Sequence, residues 1–163
     1  MPTHVEDLTR DESLDEQLAQ GKLAAAVGLV AGDSTRSLIT DPFAAGLAAL
    51  KTKRFYPINH LVVVRDELLA ELPDLAHQIF DAFSASKNSY LSELKSGRIS
   101  DLTAADKTHL AALDVMDDPL PYGISPNADT LTNLMQQVVA QGIIDAPLML
   151  EDLFALQSLE LVG

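Results

Sequence analysis

The side chains of this 163-residue chain best suited to moving protons near neutral pH are its four histidines, His4, His60, His77 and His109. His60 is set apart by its neighbours. It lies in RFYPINHLVVVR, Arg54 to Arg65, where aromatics, a proline and Asn59 lead straight into the apolar run Leu61 to Val64. A β-branched run bounded by a turn signal and a charge reads as a buried strand. The polar residues ahead of it then sit at the strand's mouth, where α/β folds bind ligands. An ordinary lead-in loop is the alternative reading. His77 lies beside the apolar stripe of a helix and reads as structural, and His109 has no neighbouring ligand in the sequence. Spacing proposes no metal site among the four. The absence of cysteine excludes disulfides, thiolate metal sites and a cysteine nucleophile.

Charge narrows the partners. With 24 acids against 11 bases the formal net charge is −13, a field that repels nucleic acid. The one dense basic cluster is Lys51, Lys53 and Arg54, directly ahead of His60, and from Asp101 onward Lys107 is the sole Lys or Arg. Positive charge therefore converges where a small anion would suit it, although a solvated basic helix end has the same composition. A second anion-holding combination is Ser34, Thr35 and Arg36, in the polar loop Gly32 to Thr40. Ser and Thr also fill such loops for local reasons.

The elements that must position these residues are legible from caps and periodicity. Ser13 with Glu16 forms a capping box opening a helix that carries Leu14 and Leu18, with Gly21 as its left-handed cap. Leu23 to Val30, short, apolar and glycine-containing, reads as a strand. Asp41-Pro42 starts an alanine-rich helix that runs into the basic cluster. Pro73 marks another helix start, and Leu75, Ile79 and Phe83 recur at four-residue steps beside Ala76 and Phe80. That helix continues, with or without a break, through Tyr90 to Leu94, and Gly97 ends it. Thr103 with Asp106 caps a shorter helix containing Leu110 and Leu113.

Met116 to Asn127, MDDPLPYGISPN, holds three prolines and a glycine and is a defined loop whose aspartates and tyrosine suit binding. A helix from about Asp129 carries the stripe Leu131, Leu134, Met135, Val138 and Val139, with Gly142 as its cap. A short helix around Leu150 to Phe154 and a loose apolar end complete the chain. There is no glycine-rich phosphate loop, no GxSxG elbow and no HExxH. Read from its residues, the chain is an α/β domain with an anion site near His60.

The order of motifs resembles the 4,5-dihydroxyphthalate decarboxylase family, from about Ser13 to Ala155. The resemblance rests on YPINHLVVVRDELL, a Pro-started helix, PYGISPN and a final EDLFA; its most specific parts are Tyr56 to Arg65 and Pro121 to Asn127. It implies part of a type II periplasmic-binding-protein-like fold, with helices packed on a small sheet. Members of that family are longer, with two lobes and a ligand cleft between them. In those terms, residues 1–12 are a lead-in, 13–53 the end of one lobe, and 54–163 a hinge crossing and the completion of the other. The sequence departs from the family's usual basic pair after PN, having Ala128 and Asp129 instead.

The activity implied is non-oxidative loss of CO2 from a dihydroxylated aromatic dicarboxylate. His60 is the acid/base, Arg36 or Arg54 holds carboxylate, and Asn59, Tyr122 and Asn127 complete the substrate site. No cofactor and no metal are called for. The same resemblance leaves open a substrate-binding protein of an ABC-type transporter, capturing a small anionic or aromatic solute without chemistry. It also leaves open pairing with another copy or with a missing N-terminal half. No apolar run reaches the ~20 residues that span a bilayer. The N-terminus is acidic where a signal peptide is basic and then apolar, so the expectation is a cytoplasmic protein.

Overall fold

The computed structural model describes residues 12–53 and 60–163. Helix α1 (Leu14–Ala19) opens where the Ser13 hydroxyl accepts the Glu16 N–H at 3.2 Å. Helix α2 (Pro42–Lys53) opens where the Asp41 carboxylate accepts the Ala44 N–H at 2.9 Å, and it places Lys51 and Lys53 in its last turn. Both starts follow from a polar side chain satisfying an amide that has no partner inside the helix. After the short helix α3 (Asp66–Glu71) comes α4 (Leu75–Lys95), 21 residues without a break. At 1.5 Å per residue this is a post about 30 Å long.

Helix α5 (Ala104–Leu113) begins on a complete capping box. Thr103 Oγ1 accepts the Asp106 N–H at 3.2 Å, and Asp106 Oδ2 accepts the Thr103 N–H at 2.8 Å. A 3-10 turn (Ser125–Asn127) leads directly into α6 (Ala128–Ala140), and α7 (Leu150–Leu153) precedes a second 3-10 turn (Leu156–Ser158). Helices α1, α4 and α6 each end on the expected glycine, with the paired reverse hydrogen bonds that satisfy their last carbonyls. At Gly97 (φ 69°), for example, the Gly97 N–H meets Leu94 O and the Arg98 N–H meets Glu93 O, both at 3.1 Å.

Packing is organised on α4. It contacts α3, α5 and the Leu156–Ser158 turn, while α5 also packs on α2. Leu91 and Leu94 on α4 join Leu50, Ala112 and Leu131 as the buried apolar side chains. Each fully buried leucine contributes roughly 1.5–3 kcal/mol. Among the described residues these five, with the fully buried Pro119, make a small core. The stripe foreseen on α6 is buried at Leu131 but half exposed at Leu134.

The α/β expectation is overturned: the described residues are helical and form no strand and no sheet. The segment Leu23 to Val30 runs as bends and irregular chain with Val30 92% exposed, and Leu61 to Val64 is irregular with Val63 90% exposed. A strand satisfies its backbone N–H and C=O groups only against a neighbour, and among the described residues neither run has one alongside. The single sheet-type pairing among the described residues is an isolated antiparallel bridge between Gly123 and Val162. Helices, whose hydrogen bonds close within one segment, form as their caps dictate. A partial periplasmic-binding-protein-like sheet therefore does not describe this molecule.

Candidate functional site

A cavity of about 1330 Å³ lies between α2, α4 and α5. Leu50, Ile79, Phe80 and Ala112 give it an apolar floor. Three further segments complete the wall: His60 to Val64, Pro119 to Ile124 with Asn127, and Asp152 to Ala155 at the end of α7. Small-molecule sites usually enclose about 300–1,000 Å³. The volume here leaves room for an aromatic ring with space beside it.

The central loop is held rigidly. Lys87, on α4, has its side chain 2% exposed and places Nζ 2.6 Å from Asp118 Oδ2. Asp118 Oδ1 accepts the Leu120 N–H at 2.8 Å, turning the chain toward the cavity. The same ammonium stands 5.0 Å from the centre of the Tyr122 ring, a cation–π arrangement that fixes the ring against α4. Asn127 Nδ2 donates to Pro121 O and to Gly123 O, each at 2.8 Å, so its amide hydrogens tie the loop's C-terminal end to its middle. Tyr122 exchanges backbone hydrogen bonds with Gly163 at 2.9 and 3.2 Å. Pro119, fully buried, closes the loop's base.

His109, on α5, also lines the cavity. Its Nδ1 is 2.9 Å from Tyr90 Oη, and Tyr90 Oη donates to Asp106 Oδ1 at 2.5 Å. The Tyr90 and His109 rings meet edge to face, 5.8 Å between centroids. Asp106 is held below the usual carboxylate range, first by the Tyr90 hydrogen bond and then by those from Thr103. Reading His109 as lacking a neighbour is thus corrected: it is the end of a three-residue chain. Asp106 and His109, three apart, share one helix face, and that spacing was a usable signal. Their joining to Tyr90 comes from the packing of α4 on α5, which no local pattern announces. Lys87 was likewise missed.

Of the expected site residues, His60, Tyr122 and Asn127 line one cavity. Arg36 does not: it is exposed in the polar loop, where Thr35 Oγ1 accepts the Gly32 N–H at 2.8 Å and the hydroxyl serves a local turn. Arg54 and Asn59 lie outside the described residues. His77 is exposed on α4. Among the described residues no group of three or more His, Asp or Glu is placed to hold a metal ion.

No protein-family model, curated protein or solved structure matches this chain. The site's own geometry must carry the functional reading. Among the described residues no helix is long and apolar enough to cross a membrane.

Proposed function

We propose that this chain supplies a cavity for a small dihydroxylated aromatic carboxylate and acts in its non-oxidative decarboxylation. One observation carries the reading. The stretches on which the resemblance rests, Tyr56 to Arg65, Pro121 to Asn127 and Glu151 to Ala155, are far apart in sequence, yet His60 to Val64, Pro121 to Ile124 with Asn127, and Asp152 to Ala155 contribute to the wall of one cavity. A largely apolar wall, with His60, His109, Tyr122, Asn127, Asp66 and Asp152 among its polar groups, suits a flat ring bearing oxygen substituents.

The chemistry asks for a proton at the ring carbon that carries the leaving carboxylate. Withdrawing the proton of the hydroxyl para to that carbon raises its electron density. His60 as imidazolium then donates its proton to the carbon. The bond to the carboxylate breaks, its electron pair returns to the ring, and CO2 leaves. Tyr122, braced by Lys87, orients the ring. The carboxylate that stays is assigned to Arg54, on the resemblance alone, since Arg36 does not line the cavity.

The test is 4,5-dihydroxyphthalate added to the full chain, with CO2 release and heat of binding both followed. Release of CO2 with saturable binding is the expected result. Binding without release replaces decarboxylation by solute capture, and absence of binding removes the aromatic carboxylate as ligand.

A further inference from the structure

The chain of hydrogen bonds behind His109 dictates where its proton sits. Asp106 accepts three hydrogen bonds, from Tyr90 Oη at 2.5 Å, Thr103 Oγ1 at 2.7 Å and the Thr103 N–H at 2.8 Å. A carboxylate accepting several hydrogen bonds is held ionised. An ionised carboxylate has no hydrogen to offer, so the Tyr90 phenol must be the donor toward Asp106. A phenol has a single hydrogen. Its oxygen therefore meets His109 Nδ1, at 2.9 Å, as an acceptor, and Nδ1 carries the proton. In the neutral ring that leaves Nε2 with a lone pair.

His109 lines the cavity, whereas Tyr90 and Asp106 do not. The arrangement is a ring in the wall with its supporting groups behind it. We propose that His109 is a second proton-handling residue of the cavity, held as the Nδ1–H tautomer by Tyr90 and Asp106, and that its Nε2 takes the proton of a phenolic hydroxyl on an aromatic ligand. This rests on the decarboxylase reading for the ligand class, but not for the tautomer. The Nε2 lone pair forms the new N–H bond, the O–H bond breaks, and its electron pair remains on oxygen as phenolate. The resulting imidazolium keeps Nδ1–H on Tyr90, with the Asp106 negative charge one residue beyond. After CO2 leaves, the same proton returns to the phenolate oxygen. His109 thus handles the hydroxyl while His60 protonates carbon. Tyr90 and Asp106 are positioning residues.

The experiment is nitrogen NMR of the full chain carrying ¹⁵N-histidine, at a pH where the rings are neutral, with His109 assigned by its loss in His109→Gln. A pyrrole-type signal at Nδ1 and a pyridine-type signal at Nε2 are expected, and Tyr90→Phe is expected to shift the ring toward the Nε2–H form. Wild type already in the Nε2–H form overturns the proposal without any variant. The ligand arm adds 3,4-dihydroxybenzoate and, separately, 3,4-dimethoxybenzoate. A shift of the Nε2 signal with the dihydroxy compound alone supports proton acceptance. Equal shifts with both, or none with either, overturn it. Failure of CO2 release leaves the tautomer result intact, so the two readings fail separately.

Discussion

Lys87 and Asp118 meet at 2.6 Å with unequal exposure: the lysine side chain is 2% exposed and the aspartate 34%. Removing one partner of a buried pair costs about 3–5 kcal/mol when the other is left buried and charged. Asp118→Asn strands the ammonium and is expected to cost about 2–3 kcal/mol, at or below the bottom of that range because the aspartate already reaches solvent. Lys87→Met keeps an apolar stem in the same space and leaves a carboxylate that water can reach, so its cost is smaller. Urea unfolding of both variants checks the order. Equal losses, or a larger loss for Lys87→Met, would remove this account of the loop's anchorage.

The two hydroxyl caps differ in what lies behind them. Helix α5 carries buried Asp106 and Ala112, whereas α1 buries none of its residues. Thr103→Ala is expected to lower global stability by about 1 kcal/mol. Ser13→Ala should change it by less than about 0.5 kcal/mol, because a surface helix can fray without unfolding the rest. Thermal unfolding of the pair measures the contrast.

Asp106 makes stability depend on pH in a defined direction. Its folded pKa lies below the ordinary value of 3.8, so near that pH the unfolded chain binds the proton more readily. Its stabilising contribution is therefore complete above pH 3.8 and is lost as the pH falls through 3.8 and then through the lower folded value. The stability gap between wild type and Asp106→Asn should be constant above about pH 5 and shrink below about pH 4. A gap that widens on acidification would contradict the hydrogen-bond assignment.

Gly123 sits at φ 107°, and a Cβ there would collide with the Leu161 carbonyl oxygen. Gly123→Ala must both strain the backbone and push the Val162 segment away. A cost of roughly 1–3 kcal/mol is expected from the backbone conformation alone. Amide exchange at Tyr122 and Gly163, which hydrogen-bond to each other, should accelerate in the variant. Unchanged exchange would mean that the bridge does not depend on this glycine.

His60→Ala is expected to reduce CO2 release from 4,5-dihydroxyphthalate by about 10²- to 10⁴-fold, the usual contribution of a positioned acid. Binding affinity should change far less, because the apolar floor is untouched. An unchanged rate would take the acid/base role from His60.

The sequence by itself determined where helices begin and end. Ser13, Asp41-Pro42, the Thr103–Asp106 pair, Gly97 and Gly142 act on amides and carbonyls within a few residues, so their effects are local and legible. It also marked His60, Tyr122 and Asn127, which share a wall. Tertiary structure alone decided the rest. Leu61 to Val64 has the composition of a strand, but a strand exists only when a second segment pairs with its backbone, and among the described residues none does. Tyr90 and His109, 19 residues apart, join only because α4 packs on α5. Lys87 finds Asp118 31 residues away by the same packing. Caps are short-range chemistry; sheets and side-chain relays depend on which elements come to lie together.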